Sequence, residues 1–316
     1  MAMKKFVVSG DQERSFYAKK FELERQWRSG VLDPDVILPV LQALNEPTGK
    51  KIEISETTAS CGNWLSKILE AEQQAHLDFF GREFDLLQFE QILRKYGRKT
   101  IKEWAKLSLE PHFLSKASMM PGDDYPGWKV KPEQWFYKML VEGKLFRSIN
   151  GGQKVLTAEL EGITVLVDTR LKPEYNNGKQ MWKQDNLLGP IIEGLRREGK
   201  IDKYNHGPQS SRFGVSANEW EKHIKPALAT KIGLPVNQVR LESTVERNVI
   251  PQLYTHMPRV NDGKTDTWVW VEEYFEGRGY RLRGGDSVDG GLADVHYFVY
   301  TGDHWSYRSL RPLVVL

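Results

Sequence analysis

Cysteine is almost missing from this chain of 316 residues, in which Cys61 is the only one. No intrachain disulfide can form, and a zinc site built on several cysteines is excluded. Long apolar runs are missing as well. No stretch approaches the roughly 18 residues of a membrane span. The opening MAMKKFVVSG follows its lysines with only Phe6, Val7 and Val8, whereas a secretory leader needs about 7 to 15 apolar residues. The expectation is a cytoplasmic protein with no membrane partner. Charge of one sign is also scarce. The 45 basic and 42 acidic residues leave a formal net charge of +3, and pairs such as Lys19-Lys20 and Arg196-Arg197 read as solvated faces. Nucleic acid is therefore not an expected partner, since it would need clustered basic residues. Fixed-period repeats, a GxxxxGK[ST] phosphate loop and an HExxH pair are absent.

What is present describes an ordinary globular chain. It is 40% hydrophobic and 28% charged, with room for about two domains and a sizeable core. Aromatics make up 11%, including ten tryptophans, most of which should lie in the core, where large rings contribute most.

The fold class expected is α+β. Residues 1–116 read as a helical domain. The segments at 11–30, 33–49, 60–81 and 84–97 and TIKEWAKLSLEP are amphipathic, with Pro111 ending the run. Residues 117–130, ASMMPGDDYPGWKV, form a connector rich in proline and glycine. From 131 to 316 helices alternate with strands. A helix starts near Pro132, a strand runs from Gly162 to Asp168, and another helix starts near Pro190. Ser216 and Glu219 form a capping box whose helix Pro226 should bend or split. After 260 the chain is strands and glycine-rich turns. Trp268 and Trp270, two apart on a strand, should share one buried face.

The chain closes YFVYTGDHWSYRSLRPLVVL, residues 297–316. Aromatic, charged and small residues mix there without a period and run into an apolar strand. Such an alphabet suits a binding surface. Tyr and Trp offer contact area with few rotatable bonds, and Ser, Gly and Asp offer adaptable hydrogen bonds. Arg, Trp and Tyr are also the residue types enriched in binding hot spots.

Four pieces occur in a familiar order. VRLESTVERNVI at 239–250 resembles the "RLPTEAEWE" helix start of C-type-lectin folds of the formylglycine-generating-enzyme type. Arg240, Leu241, Ser243, Thr244 and Glu246 match; Glu242 stands where proline is usual, and Asn248 departs from the pattern. TWVWVEEYF at 267–275 is similar to the "VWEW" strand, YRLRGGDS at 280–287 to "RVLRGGSW" with Asp286 for serine, and SLRPLVVL at 309–316 to the closing "GFRPV" strand. The ending further resembles the variable proteins of diversity-generating retroelements, found in uncultured small-genome bacteria. Those are ligand binders whose C-terminal codons are rewritten at template adenines. The resemblance implies an N-terminal helical region plus a C-type-lectin-like domain at 131–316, with a hypervariable segment at 296–309. The implied contacts are His296, Tyr297, Phe298, Tyr300, Asp303, His304, Trp305, Tyr307 and Arg308, with Arg311 and Pro312 as scaffold. A protein ligand is expected, with no catalysis, cofactor or metal. Formylglycine generation needs a cysteine pair that this chain lacks. The alternative from another class is a lectin-fold metal-dependent oxidoreductase, related to formylglycine-generating or sulfoxide-forming enzymes. It would draw on Asp294, His296, Asp303 and His304, since histidine and carboxylate sets suit iron or zinc. A third reading makes the N-terminal helices the active part.

Overall fold

The computed structural model describes residues 56–147, 152–170, 185–257, 268–276, 279–285 and 291–316, with only the backbone given at 56–63 and 296–298. The helices expected at 11–30 and 33–49 and the turn at 286–290 lie outside the described residues. Helix α1 (Glu56–Phe80) closes at Gly81, whose φ of 71° few other residues adopt readily. Helix α2 (Leu87–Lys106) breaks at Gly97, with φ 72° and ψ 162°, so both short amphipathic segments expected there are present. The next residues depart from expectation. Residues 109–114, read as the end of the helical run, form strand β1 (Leu109–Leu114), with Pro111 inside it. The strand lies at the edge of its sheet, where a missing N–H costs the ladder least.

Short elements β2 (Ala117–Ser118), α3 (Gln134–Val141), β3 (Leu145–Phe146) and β4 (Glu159–Leu160) follow, and then β5 (Ile163–Asp168) at the expected place. Helix α4 (Gly189–Arg197) has Pro190 in its first turn. Helix α5 (Ala217–Glu219) begins under the expected capping box. The Ser216 hydroxyl accepts the Glu219 N–H while the Glu219 carboxylate accepts the Ser216 N–H. A π-helical turn, Trp220–Ile224, carries the chain into α6 (Lys225–Ile232). Pro226 removes the N–H that the Lys222 carbonyl would otherwise accept, so the ladder changes register there. Strand β6 (Val239–Leu241) leads into α7 (Thr244–Leu253), capped in the same way by Ser243 and Glu246. Strands β7 (Trp268–Phe275), β8 (Tyr280–Gly285), β9 (Val295–Tyr300), β10 (Arg308–Leu310) and β11 (Pro312–Val315) complete the chain.

The first sheet has the order β1-β5-β11-β6, so the last strand lies inside it, antiparallel to both neighbours. Alternation divides its side chains between two apolar clusters. Val165, Val167 and Leu313 join Phe79, Phe136 and Leu253, while Leu166 and Val314 join Phe89, Trp104 and Trp220. Both faces are covered, which makes the near-continuous apolar run LVVL suitable. The second sheet has the order β10-β7-β8-β9, with β3 pairing the far end of β7. Strand β10 runs parallel to β7 and sets Arg308 opposite Trp268. The chain passes from the second sheet to the first at Arg311, which is buried and donates from Nη1 to the Asp168 carbonyl at 3.2 Å.

By contacts the chain divides after Asn63, and residues 64–316 form one unit. The divide expected at 117–130 falls inside that unit. The reason is packing: α1 and α2 supply Phe79, Phe80, Phe89 and Trp104 to the two clusters. No helix among the described residues is long and apolar enough to cross a membrane.

Candidate functional site

The segment 296–309 begins in strand β9 and ends in β10, the strands at the two opposite ends of the β10-β7-β8-β9 order, and the surrounding structure holds its main chain at several points. The Thr301 N–H donates to the Gly279 carbonyl at 2.8 Å, and the Thr301 carbonyl accepts the Asn218 N–H at 2.9 Å. The Ser306 carbonyl accepts the Tyr204 hydroxyl at 2.9 Å. The Tyr307 carbonyl accepts the Trp268 N–H, and the Arg308 carbonyl accepts the Gly214 N–H, each at 3.1 Å. Gly214 has φ 68°, and a Cβ there would approach Tyr204 Cδ2 to 2.6 Å, so glycine is what lets Tyr204 reach the segment.

The side chains of the segment divide by exposure. Tyr300 is 56% exposed and meets Tyr280 edge-on, with centroids 6.3 Å apart. Trp305 is 45% exposed and packs edge-on against half-buried Tyr307 at 5.3 Å. It is the exposed member among the described tryptophans, while Trp268 and Trp270 are buried as expected. Asp303 is half-buried and closes a turn through its N–H to the Tyr300 carbonyl at 3.1 Å. His304 is exposed and pairs with Glu219 at 2.8 Å and Asp202 at 3.6 Å. The bond to Glu219 raises its pKa. The backbones of His296, Tyr297 and Phe298 lie in β9, with His296 opposite Arg283; their side chains lie outside the description.

Arg308 corrects the expected contact set. It is 2% exposed, with its guanidinium 5.2 Å from the Trp270 ring and 4.7 Å from the Trp305 ring. Its Nε and Nη1 have no hydrogen-bond partner. The two ring faces attract the cation in their place, while burial and then neighbouring Arg283 lower its pKa to about 10. Arg308 thus forms part of the floor beneath Trp305. The floor continues through Trp270, whose indole N–H donates to the Val215 carbonyl at 2.9 Å.

The loop carrying Gly214 and Val215 is anchored by buried charge. Arg212, 0% exposed, grips both oxygens of Asp185 and one of Asp168. Arg170 takes the other Asp168 oxygen at 2.9 Å. Arg196 adds bonds to the Ser211 and Phe213 carbonyls at 2.8 Å each.

Two groups among the described residues bring histidine and carboxylate atoms within 4.8 Å of one another: Asp202, Glu219 and His304, and Glu110, His112 and His256. In the first, Glu219 Oε2 already accepts the Ser216 N–H at 2.8 Å and its hydroxyl at 3.0 Å. Of the ligand set Asp294, His296, Asp303 and His304 weighed from the sequence, His304 is the member of this group, and its ion-pair partners here are Glu219 and Asp202. The second group was missed from the sequence. Its signal is Glu110-Pro111-His112, whose i, i+2 spacing puts both side chains on one face of a strand. That signal is hidden while 109–114 reads as the end of a helix. No family model, curated protein or solved structure matches the chain.

Proposed function

We propose that the chain is a non-enzymatic binding protein that displays a diversified aromatic and polar surface from residues 296–309 on a C-type-lectin-like scaffold, in the manner of retroelement variable proteins. One observation carries the reading. Apart from the His304 side chain, which pairs with Glu219, the hydrogen bonds described above that hold 301–308 to the rest of the fold engage its main-chain atoms, while Tyr300, His304 and Trp305 are exposed. Main-chain bonds survive a change of side chain. A segment held that way tolerates rewriting of its codons, and a rigid display keeps the ordering cost of binding low. Placement of β11 inside the first sheet, with the segment on the second, supports the lectin-like reading. The contacts are Tyr300, Asp303, His304, Trp305 and Tyr307, with His296, Tyr297 and Phe298 on the adjoining strand. The ligand is a protein surface, since the mixed alphabet matches that of antibody loops, and the encounter takes place in the cytoplasm.

Sequencing the 3′ end of the gene across cells of its source population tests this. Codons 296–309 should vary at adenine positions of a nearby template copy, while 280–293 and 310–316 stay constant. A uniform segment with no template would end the reading.

The same division predicts a stability contrast. Tyr300→Ala and Trp305→Ala should each lower the unfolding free energy by less than about 1 kcal/mol, as surface substitutions do. Trp270→Ala, 1% exposed, should cost about 3–5 kcal/mol. Urea unfolding of the purified variants reads the difference. A Trp305 variant as unstable as the Trp270 variant would make Trp305 core rather than display.

A further inference from the structure

Away from the C-terminal segment, an open cleft of ≈ 810 Å³ is lined by Glu72, Asp78, His112, Gln252, Tyr254 and His256, among others. At its edge β1 presents Glu110 and His112 from one face, and the turn after α7 presents His256. His256 Nε2 lies 3.0 Å from Glu110 Oε2, and His112 Nε2 lies 3.6 Å from the same oxygen. The two imidazole centroids are 6.0 Å apart. Ligand atoms sharing a tetrahedral ion at bond lengths near 2.0–2.1 Å stand about 3.3 Å apart, and the two measured edges bracket that spacing. The third edge lies within 4.8 Å, and the exposed His256 ring is free to adjust it.

A second observation points to a ligand at the same place. His112 is 7% exposed, yet its Nε2 has no hydrogen-bond partner. Its other nitrogen is fully committed, with Nδ1 2.9 Å from Glu72 Oε2. Glu72 is in turn fixed by the Phe113 N–H at 2.7 Å and the Tyr254 hydroxyl at 2.6 Å. The Tyr254 ring covers His112 with centroids 3.9 Å apart. A carboxylate on one imidazole nitrogen, with the other nitrogen left bare toward a further carboxylate and histidine, is how proteins orient a histidine for a metal.

We infer that Glu110, His112 and His256 form a binding site for one divalent transition-metal ion of the zinc or ferrous class, oriented by Glu72 and open toward the cleft. Two imidazoles and one carboxylate suit such ions, and hard calcium or magnesium far less. Three protein ligands leave a coordination position for water or a ligand group entering through the cleft, the arrangement of an open site. The site shares no residue with the C-terminal display segment, so either can fail without the other.

The test uses the full chain, purified without a histidine tag, stripped with a chelator and titrated with Zn2+ by calorimetry. One equivalent should bind, undisturbed by excess Ca2+ or Mg2+. Co2+ in its place should give the visible absorption of a four-coordinate ion. His256→Ala, at an exposed position where folding is not at risk, should weaken Zn2+ binding at least about 100-fold and abolish the Co2+ band. Glu110→Gln should do the same, and Glu72→Gln should weaken binding about 10–100-fold by releasing the ring. No saturable Zn2+ uptake, uptake unchanged in His256→Ala, or displacement of Zn2+ by Ca2+ would each overturn the inference and leave His112 a buried imidazolium between two carboxylates.

Discussion

Replacing Asp168 by asparagine lowers the unfolding free energy at neutral pH by about 3–5 kcal/mol, the size expected when one partner of a buried ion pair is removed. Asp168 is 1% exposed and accepts from Arg170 and Arg212, while its carbonyl accepts from Arg311. With the carboxylate gone, Arg212 loses one of its two carboxylate-bearing partners named above, and Arg170 loses its charged partner at 2.9 Å. Burial alone would raise the Asp168 carboxyl, but the charges of Arg212, then Arg170 and Arg311, hold it far below the ordinary 3.8. A depressed carboxyl contributes stability above its unfolded pKa and loses it as pH falls through the folded one. The deficit of the variant is therefore constant down to about pH 4 and shrinks only in stronger acid. Urea unfolding at pH 7 and pH 3 measures both parts. A deficit under about 1 kcal/mol at pH 7 would mean that the arginines find water instead. Because Arg212 leads to Gly214 and Val215, the variant should also loosen the floor beneath Trp305, seen as faster amide exchange at Arg308 and Leu310.

Glu273→Gln should act in the opposite direction, and only above acid pH. Glu273 lies in β7, 3% exposed, at the N-terminus of α7. Both its oxygens lie 3.0 Å from the Thr244 N–H, and the Thr244 hydroxyl donates to Oε2 at 3.1 Å. Those bonds favour the charged form, but desolvation outweighs them and raises the carboxyl from 4.5 to about 7. For a raised carboxyl the linkage sign is clear. Between those two pH values the folded protein holds a proton that the unfolded chain has released, so stability falls as pH rises. The loss is complete above pH 7 and amounts to roughly 3 kcal/mol. Glutamine keeps the shape and an acceptor without the titration. The variant should thus match the parent near pH 4 and exceed it by roughly 3 kcal/mol at pH 8. A stability difference that is the same at both pH values would refute the assignment.

Much of the local structure was legible because its signals are local. The Ser216–Glu219 capping box, the break at Gly97, the strand ending at Asp168 and the apolar closing strand each depend on residues a few positions apart. Residues 296–309 stood out in the sequence for the complementary reason, an alphabet without a clear period, yet 296–300 lie in strand β9, whose pairing with β8 is long-range information of another kind. Strand β1 was not legible, since Leu109–Leu114 gains its identity from β5, whose paired residues lie 49 to 59 positions away.

The sequence by itself determined what this protein can be made of: no disulfide, no long apolar run, local caps and turns, and an aromatic-rich end. The tertiary structure decided which aromatics show and which charges are buried. Trp268, Trp270 and Trp305 are the same residue type, yet only the last is exposed, because β7 is covered on both faces while Trp305 follows a turn. Arg308 reads as a surface contact and lies beneath Trp305. Glu110 and His112 meet His256 across 146 positions from Glu110 to His256. Exposure and long-range charge pairing depend on which segments pack together, and that is set by the burial of the whole apolar set rather than by neighbours along the chain.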